Sequence, residues 1–142
     1  RNISKAVPVE MIVYGRLPLM VTENCLIKNH SGRCNCEVAC HLIDENADVY
    51  PIMRVYGCRN EVLSAKKLFL GDKLSRFHKL GIWAARLDFT TENPRECVQI
   101  LERYIKGGGF EPNDFDRGLY FSESEIAERP KRKKRFRNAL FD

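Results

Sequence analysis

Cys25, Cys34, Cys36, Cys40 and Cys58 place five of the chain's six cysteines in a single stretch. Thiolates are soft ligands for zinc or an iron–sulfur cluster, and four converging from separate segments close a structural site. The residues among them include Gly32, Asn29, Ser31, Asn35 and many charged side chains. Such a stretch is too polar to build an apolar core of its own, so a cross-link is expected and a metal is the first candidate. The spacing follows no standard zinc finger. Unligated thiols and disulfides are the alternatives, of which a cytoplasmic location disfavours the second. His41 adjoins Cys40 and is a weaker candidate ligand, while His30 reads as a loop residue and His78 as a solvated one. Cys97 falls on an apolar helical stripe and reads as a buried structural thiol.

A second set of polar residues suggests a site rim. Arg16 and Glu23 follow an expected first strand and Asp88 closes a second, at the strand ends where α/β folds place their sites. Arg59 and Arg86 complete the set. Two readings stand: an anion- or substrate-binding rim, or a buried Arg–carboxylate network in which Arg59 pairs with Glu61 or Asp88.

The elements that must position these residues follow from local pattern. Val9–Tyr14 is β-branched, aromatic and stopped by Gly15, which predicts a buried strand; Ile82–Phe89 predicts another, with Arg86 and Asp88 on one face. Leu17-Pro18-Leu19-Met20 is expected to turn into a short helix or bend, because proline lacks a ladder donor. The loop 24–36 is expected to be irregular. Runs 39–44 and 49–55 flank Glu45-Asn46-Ala47-Asp48 as a β-hairpin with Pro51 near an edge. From Asn60 to Leu80 one short turn and then an amphipathic helix, from about Gly71 to Leu80, are expected. Asn93, Pro94 and Glu96 announce a helix to about Lys106, with Cys97, Val98, Leu101, Tyr104 and Ile105 as its apolar stripe. Thr90, Thr91 and Glu92 read as capping chemistry, and Gly118–Phe121 as a closing strand. The order predicts an α/β unit with two parallel strands.

Four separated motifs carry a resemblance. They are Tyr14-Gly15-Arg16-Leu17-Pro18-Leu19-Met20, Thr22-Glu23-Asn24-Cys25, Cys58-Arg59-Asn60-Glu61 and Arg86-Leu87-Asp88-Phe89-Thr90-Thr91-Glu92. In order and spacing they resemble the peptidase U32 family, over most of residues 8–121. The resemblance implies the C-terminal part of a core domain, residues 1–121 with a cysteine-rich metal-binding insertion at 24–60, followed by a basic tail at 122–142. It also implies a partial (β/α)-barrel-like fold, since two strand–helix units are too few to close a barrel. The family's His-Gly signature is absent, which puts the catalytic apparatus on a missing N-terminal part and makes the isolated segment inactive. Because Cys25 and Cys58 lie in the family-like motifs, the expected ligand set is Cys25, Cys34, Cys36 and Cys58, with Cys40 as alternative. Zinc is expected, with a [4Fe–4S] cluster as alternative.

The family name implies a collagenase-like protease. Other members resemble iron–sulfur-dependent hydroxylation factors acting on RNA bases or quinone precursors. A protease needs an activated nucleophile or metal-bound water; no HExxH motif or Ser/His/Asp set is present. Candidate catalytic residues are therefore limited to the rim residues Arg16, Glu23, Arg59 and Asp88.

Length and charge complete the expectations. At 142 residues one modest domain is expected. No apolar run approaches the ~20 residues of a membrane-spanning helix. The chain begins with Arg1 and lacks a signal peptide, so it reads as cytoplasmic and as a piece of a longer protein. Much of the net charge of +5 reflects Lys131, Arg132, Lys133, Lys134, Arg135 and Arg137, a run that reads as a solvated tail or an RNA contact. The partners expected are the parent's N-terminal part, RNA through this tail, and a second copy in a homo-oligomer.

Overall fold

A computed structural model describes residues 6–33, 39–107, 113 and 115–118. Cys34, Cys36, the strand expected up to Phe121 beyond Gly118, and the basic tail lie outside the described residues. The described chain is mixed α/β, with two four-stranded sheets and three α-helices and no closed barrel. It divides into two compact units, one from residues up to 17 together with 66–117, the other from 18 to 65.

In the first unit the sheet order is β7-β1-β6-β8: β1 is Glu10–Gly15, β6 Lys67–Phe69, β7 Ala84–Asp88 and β8 Phe115–Asp116. The two strands expected from the sequence pair in parallel, Gly15 opposite Asp88, with a bulge between Ile12 and Tyr14. β6 is antiparallel to β1 and parallel to β8. Two helices belong to this unit, α2 (Leu74–Lys79) and α3 (Pro94–Lys106). The start of α3 is set by local chemistry. The Asn93 side chain accepts from Glu96 N–H at 3.0 Å, and the Glu96 carboxylate accepts from Asn93 N–H at 2.9 Å. That reciprocal capping box satisfies two N–H groups with no intrahelical partner, and Pro94 at the first position has none to satisfy.

Helix α3 docks through Ile100, which packs with Tyr14 and Phe69 in a fully buried cluster bordered by Leu87, Tyr104 and Phe115. Rings meet tilted or edge-on, Phe69 and Tyr104 at 5.7 Å and Phe69 and Phe115 at 5.4 Å, the geometry that aligns a ring's positive edge with its neighbour's face. The Tyr104 hydroxyl donates to the Val13 carbonyl at 2.7 Å and accepts from Leu70 N–H at 3.3 Å, tying α3 to β1 and to the residue that follows β6. Of the expected stripe, Val98, Leu101 and Ile105 are exposed.

In the second unit all pairing is antiparallel, in the order β2-β5-β4-β3: Pro18–Thr22, Arg59–Leu63, Val49–Val55 and Cys40–Ile43. The hairpin β3–β4 forms where expected, but Pro51 lies on the interior strand β4, opposite His41 of the edge strand β3, and not near an edge. Asp44 closes it: one carboxylate oxygen accepts from Asn46 and Asp48 N–H at 2.9 Å each, the other from the Tyr50 hydroxyl at 3.1 Å. These bonds, the Asp48 N–H first, hold the Asp44 pKa below its ordinary value.

Three further expectations are corrected. Leu17–Met20 does not turn into a helix; Pro18 opens β2 as the first residue of an edge strand, where a missing donor is tolerated. The loop 24–36 is not wholly irregular, because Leu26–Ser31 forms helix α1 with Cys25 as N-cap and Gly32, at φ 71°, closing it. Where a short turn was expected from Asn60, the chain forms β5 and β6, which find neighbours distant in sequence, and the helix expected from about Gly71 begins at Leu74.

Gly15 is the tightest backbone approach in the first unit. Its φ is +118°, and a Cβ built there would lie 2.1 Å from the Asp88 carbonyl oxygen. Gly15→Ala must therefore push β1 from β7, and a loss of about 2–4 kcal/mol is expected in urea unfolding; a loss below about 0.5 kcal/mol would contradict the close approach.

Candidate functional site

The cysteine end of the second unit is built by the β2–β5 ladder. Thr22 pairs with Asn60 at its last rung; Cys25 follows three residues beyond Thr22 and Cys58 precedes Asn60 by two. Cys25 is buried and caps α1, its Sγ accepting from Lys28 N–H at 3.4 Å. Cys58 is exposed and takes a left-handed φ of 60°, directly after Gly57 at 76°. A non-glycine residue in that region costs roughly 1 kcal/mol or more, so the turn holds Cys58 against a local preference.

Cys40 opens β3, the edge strand opposite Ile52 of β4. Among the described residues no group of three or more His, Cys, Asp or Glu side chains is gathered as a metal site. Two of the four expected ligands, Cys34 and Cys36, fall outside them. His30, His41 and His78 are exposed, and Cys97 is half-buried on α3, in the first unit.

Asn60 anchors this end. It is a polar residue buried in backbone and side chain together, 1% exposed, and its Oδ1 accepts from Leu26 N–H at 2.6 Å. Arg59 and Glu23, both candidate rim residues, meet in an exposed ion pair at 3.2 Å. Arg59 thus meets Glu23 where the sequence suggested Glu61 or Asp88. Surface pairs of this kind contribute about 0–1 kcal/mol.

In the first unit Arg16 Nε donates to Thr91 Oγ1 at 3.3 Å, and Arg86 bridges Asp88 and Glu10, at 2.9 Å to each. Asp88's hydrogen bond is the main reason the Arg86 guanidinium pKa is raised. These arginine pairs lie at the surface. The buried ion of this unit is Glu92, a residue that the sequence presents only as capping chemistry. Its side chain is 0% exposed. One oxygen accepts from the Tyr14 hydroxyl at 3.0 Å and from Lys67 Nζ at 2.8 Å; the other accepts from Thr90 and Thr91 N–H at 2.7 and 3.0 Å. Burial alone would raise its pKa, but the Lys67 and Thr90 bonds outweigh it and the net shift is downward. Burial, then the Glu92 charge, pushes the Tyr14 hydroxyl well up, so it stays a neutral donor. With all four donors aimed at it, the carboxylate serves as a tie between β1, β6 and the start of α3. Tyr14 and Glu92 lie inside recognisable motifs, but Lys67 carries no local signal.

No family model matches the chain, and neither a curated protein nor a solved structure matches it.

The Glu92 network makes two measurable predictions. Glu92→Gln turns an amide N–H₂ toward groups that are themselves donors, and Lys67→Met leaves the carboxylate buried without its counter-charge; each is expected to cost about 3 kcal/mol in chemical denaturation. The pH dependence follows from the direction of the shift. A carboxylate whose pKa folding lowers contributes fully above the ordinary glutamate value of about 4.3 and loses that contribution as pH falls through the depressed value. Wild type should therefore lose more stability between about pH 6 and pH 3 than Glu92→Gln; parallel acid profiles would contradict the assignment.

Proposed function

We propose that this chain is the C-terminal part of the core of a U32-type enzyme, a peptidase by resemblance, in which the second unit carries a cysteine-held structural metal. Ligands are Cys25, Cys34, Cys36 and Cys58, with Cys40 as alternative, and the metal is zinc, with a [4Fe–4S] cluster as alternative. One observation carries this reading: among the described residues the second unit has almost no apolar interior. Among the described residues its buried hydrophobics are Cys25, Val62 and Leu63, whereas the first unit buries Val13, Tyr14, Leu68, Phe69, Leu70, Phe77 and Ile100. A small unit with so little core needs a cross-link, and thiolates at one end of its sheet are suited to supply one.

Under this reading the chain forms a partial (β/α)-barrel-like unit completed by the parent's N-terminal part. Substrate chemistry belongs to that part, and the candidate residues offered to it are Arg16 and Asp88 in the first unit and Glu23 and Arg59 in the second. Of the two activities in the family, hydrolysis finds no nucleophile–base pair among the described residues. Soft thiolate donors favour the second reading, iron–sulfur-dependent hydroxylation, if the metal is iron.

Protein purified without chelator is expected to contain roughly one zinc ion or one iron–sulfur cluster per chain. Zinc leaves it colourless, and a cluster gives brown charge-transfer absorption. Cys25→Ser and Cys58→Ser should lose most of the metal, and Cys97→Ser should keep it. Elemental analysis showing neither metal, with the thiols all freely reactive, would overturn the proposal.

A further inference from the structure

Trp83 is the chain's single tryptophan, and it is 74% exposed. Tryptophan is on average a well-buried residue type, so a ring left this far in solvent calls for a reason. Looseness is not the reason, because the backbone on both sides is fixed. Helix α2 closes, with Leu80 as C-cap, in a Schellman turn. Gly81, at φ 79°, donates its N–H to the His78 carbonyl at 3.0 Å, and Ile82 N–H donates to the Phe77 carbonyl at 3.1 Å. One residue later Trp83 N–H donates to the Val9 carbonyl at 2.9 Å. The indole is thus held in solvent at the entry to β7.

Two aliphatic side chains accompany it. Leu80, three residues back across the turn, is 46% exposed, and Val7, two residues before the Val9 acceptor, is 52% exposed. Arg76, Lys79 and Leu80 are all exposed and stand at i, i+3 and i+4, on one side of α2. From Lys73 to Trp83 the chain carries Lys73, Arg76, Lys79 and His78 and no carboxylate. The neighbouring acids are already neutralised. Asp72 is held by Lys73 at 2.8 Å and Arg117 at 3.0 Å, and Glu10, opposite Ala84 in the ladder, is held by Arg86 at 2.9 Å. Among the described residues the excess charge here is positive.

An exposed apolar group within a charged rim marks a docking surface. Three side chains are too few for a stable protein interface of ~800 Å² per partner. A nucleotide base would stack on the indole but find no use for Leu80 and Val7. A fluid anionic surface engages all of them. Tryptophan settles at headgroup level, aliphatic side chains reach the acyl boundary, and lysine and arginine keep their charges at the phosphates while their stems lie along apolar surface.

We propose that the entry to β7 is a peripheral docking surface for an anionic lipid bilayer: Trp83, Leu80 and Val7 enter the interface, and Arg76 and Lys79 bind its phosphates. Docking of this kind needs no membrane-spanning helix, and none of the described helices is long and apolar enough to be one. The surface lies at the end of the parallel β1–β7 pair away from Gly15 and Asp88. A docked chain therefore leaves the end that carries Arg16 and Asp88 in solution.

The test uses the full chain and the emission of Trp83, which as the single tryptophan reports on this surface alone. That matters because the run from Lys131 to Arg137 offers any anionic vesicle a second cationic contact. On adding vesicles of phosphatidylcholine and phosphatidylglycerol, the emission should move to shorter wavelength and be quenched by bromine placed on the acyl chains. Pure phosphatidylcholine should leave it unmoved. Arg76→Gln and Lys79→Gln should each raise the lipid concentration at half-change by about fivefold, the worth of one cation at an anionic surface. Vesicles that sediment the protein while Trp83 emission keeps its aqueous value overturn the proposal and assign binding to the basic run. Emission that responds only to a single-stranded oligouridylate also overturns it, in favour of a nucleic-acid contact. If a variant fails to fold, the wild-type emission with the two vesicle compositions decides by itself.

Discussion

The Glu92 carboxylate is the constraint on which the first unit depends. An ion with no solvent contact is tolerated only where donors replace its hydration, and here the replacements come from three places in the chain. Tyr14 arrives on β1, Lys67 on β6, and the Thr90 and Thr91 N–H groups from the turn that enters α3. Satisfying one carboxylate therefore sets where β6 runs beside β1 and where α3 begins. Much of the rest follows from that placement. Tyr14 is directed so that its hydroxyl reaches Glu92 while its ring packs with Phe69 and Ile100. Tyr104, one helical turn beyond Ile100, meets the same cluster and sends its hydroxyl to Val13. The polar centre and the aromatic core are two sides of one arrangement.

The parts of this fold that could be read from sequence are those whose causes are local. Asn93, Pro94 and Glu96 encode the start of α3 within four residues, and the apolar run ending at Gly15 encodes β1 by composition. The hairpin is readable because Asp44 and its turn partners are neighbours in the chain. What escaped reading has non-local causes. β5 begins Arg59-Asn60-Glu61, which looks like a turn until β2 and β4 pair on either side of it. Pro18 looks like a strand breaker until it becomes the first residue of an edge strand. Helix α1 is six residues long, too short to show a period, and its N-cap is a cysteine rather than a usual capping residue. Lys67 and Glu92 are ordinary surface residues in any local window, and only the sheet makes them partners.

The candidate site divides in the same way. Cys25 and Cys58 stand 33 positions apart in sequence, and the β2–β5 ladder brings the chain segments that carry them to the same end of the sheet. Asn60 gave no signal beyond its place after Cys58-Arg59, since nothing in a sequence distinguishes a buried amide from an exposed one. The rim residues were legible as polar groups near strand ends, but not as two separate sets. Arg16 and Asp88 belong to the first unit, and Glu23 and Arg59 to the second.

The two units solve the problem of stability differently, and the difference bears on how each responds to its surroundings. In the first, aromatic burial of about 1.5–3 kcal/mol per large side chain combines with an internally compensated ion, so its order needs nothing from outside. In the second, Val62 and Leu63 supply little apolar burial, a buried donor of Asn60 is unmet, and Cys58 occupies a disfavoured backbone region. Each of these raises the free energy of the folded unit in isolation. That cost would be offset by a ligand that draws thiolates together at the ladder end, because metal binding free energy is then folding free energy. On the proposed cysteine–metal reading, the second unit's stability would track metal occupancy, whereas the first unit's would track core packing.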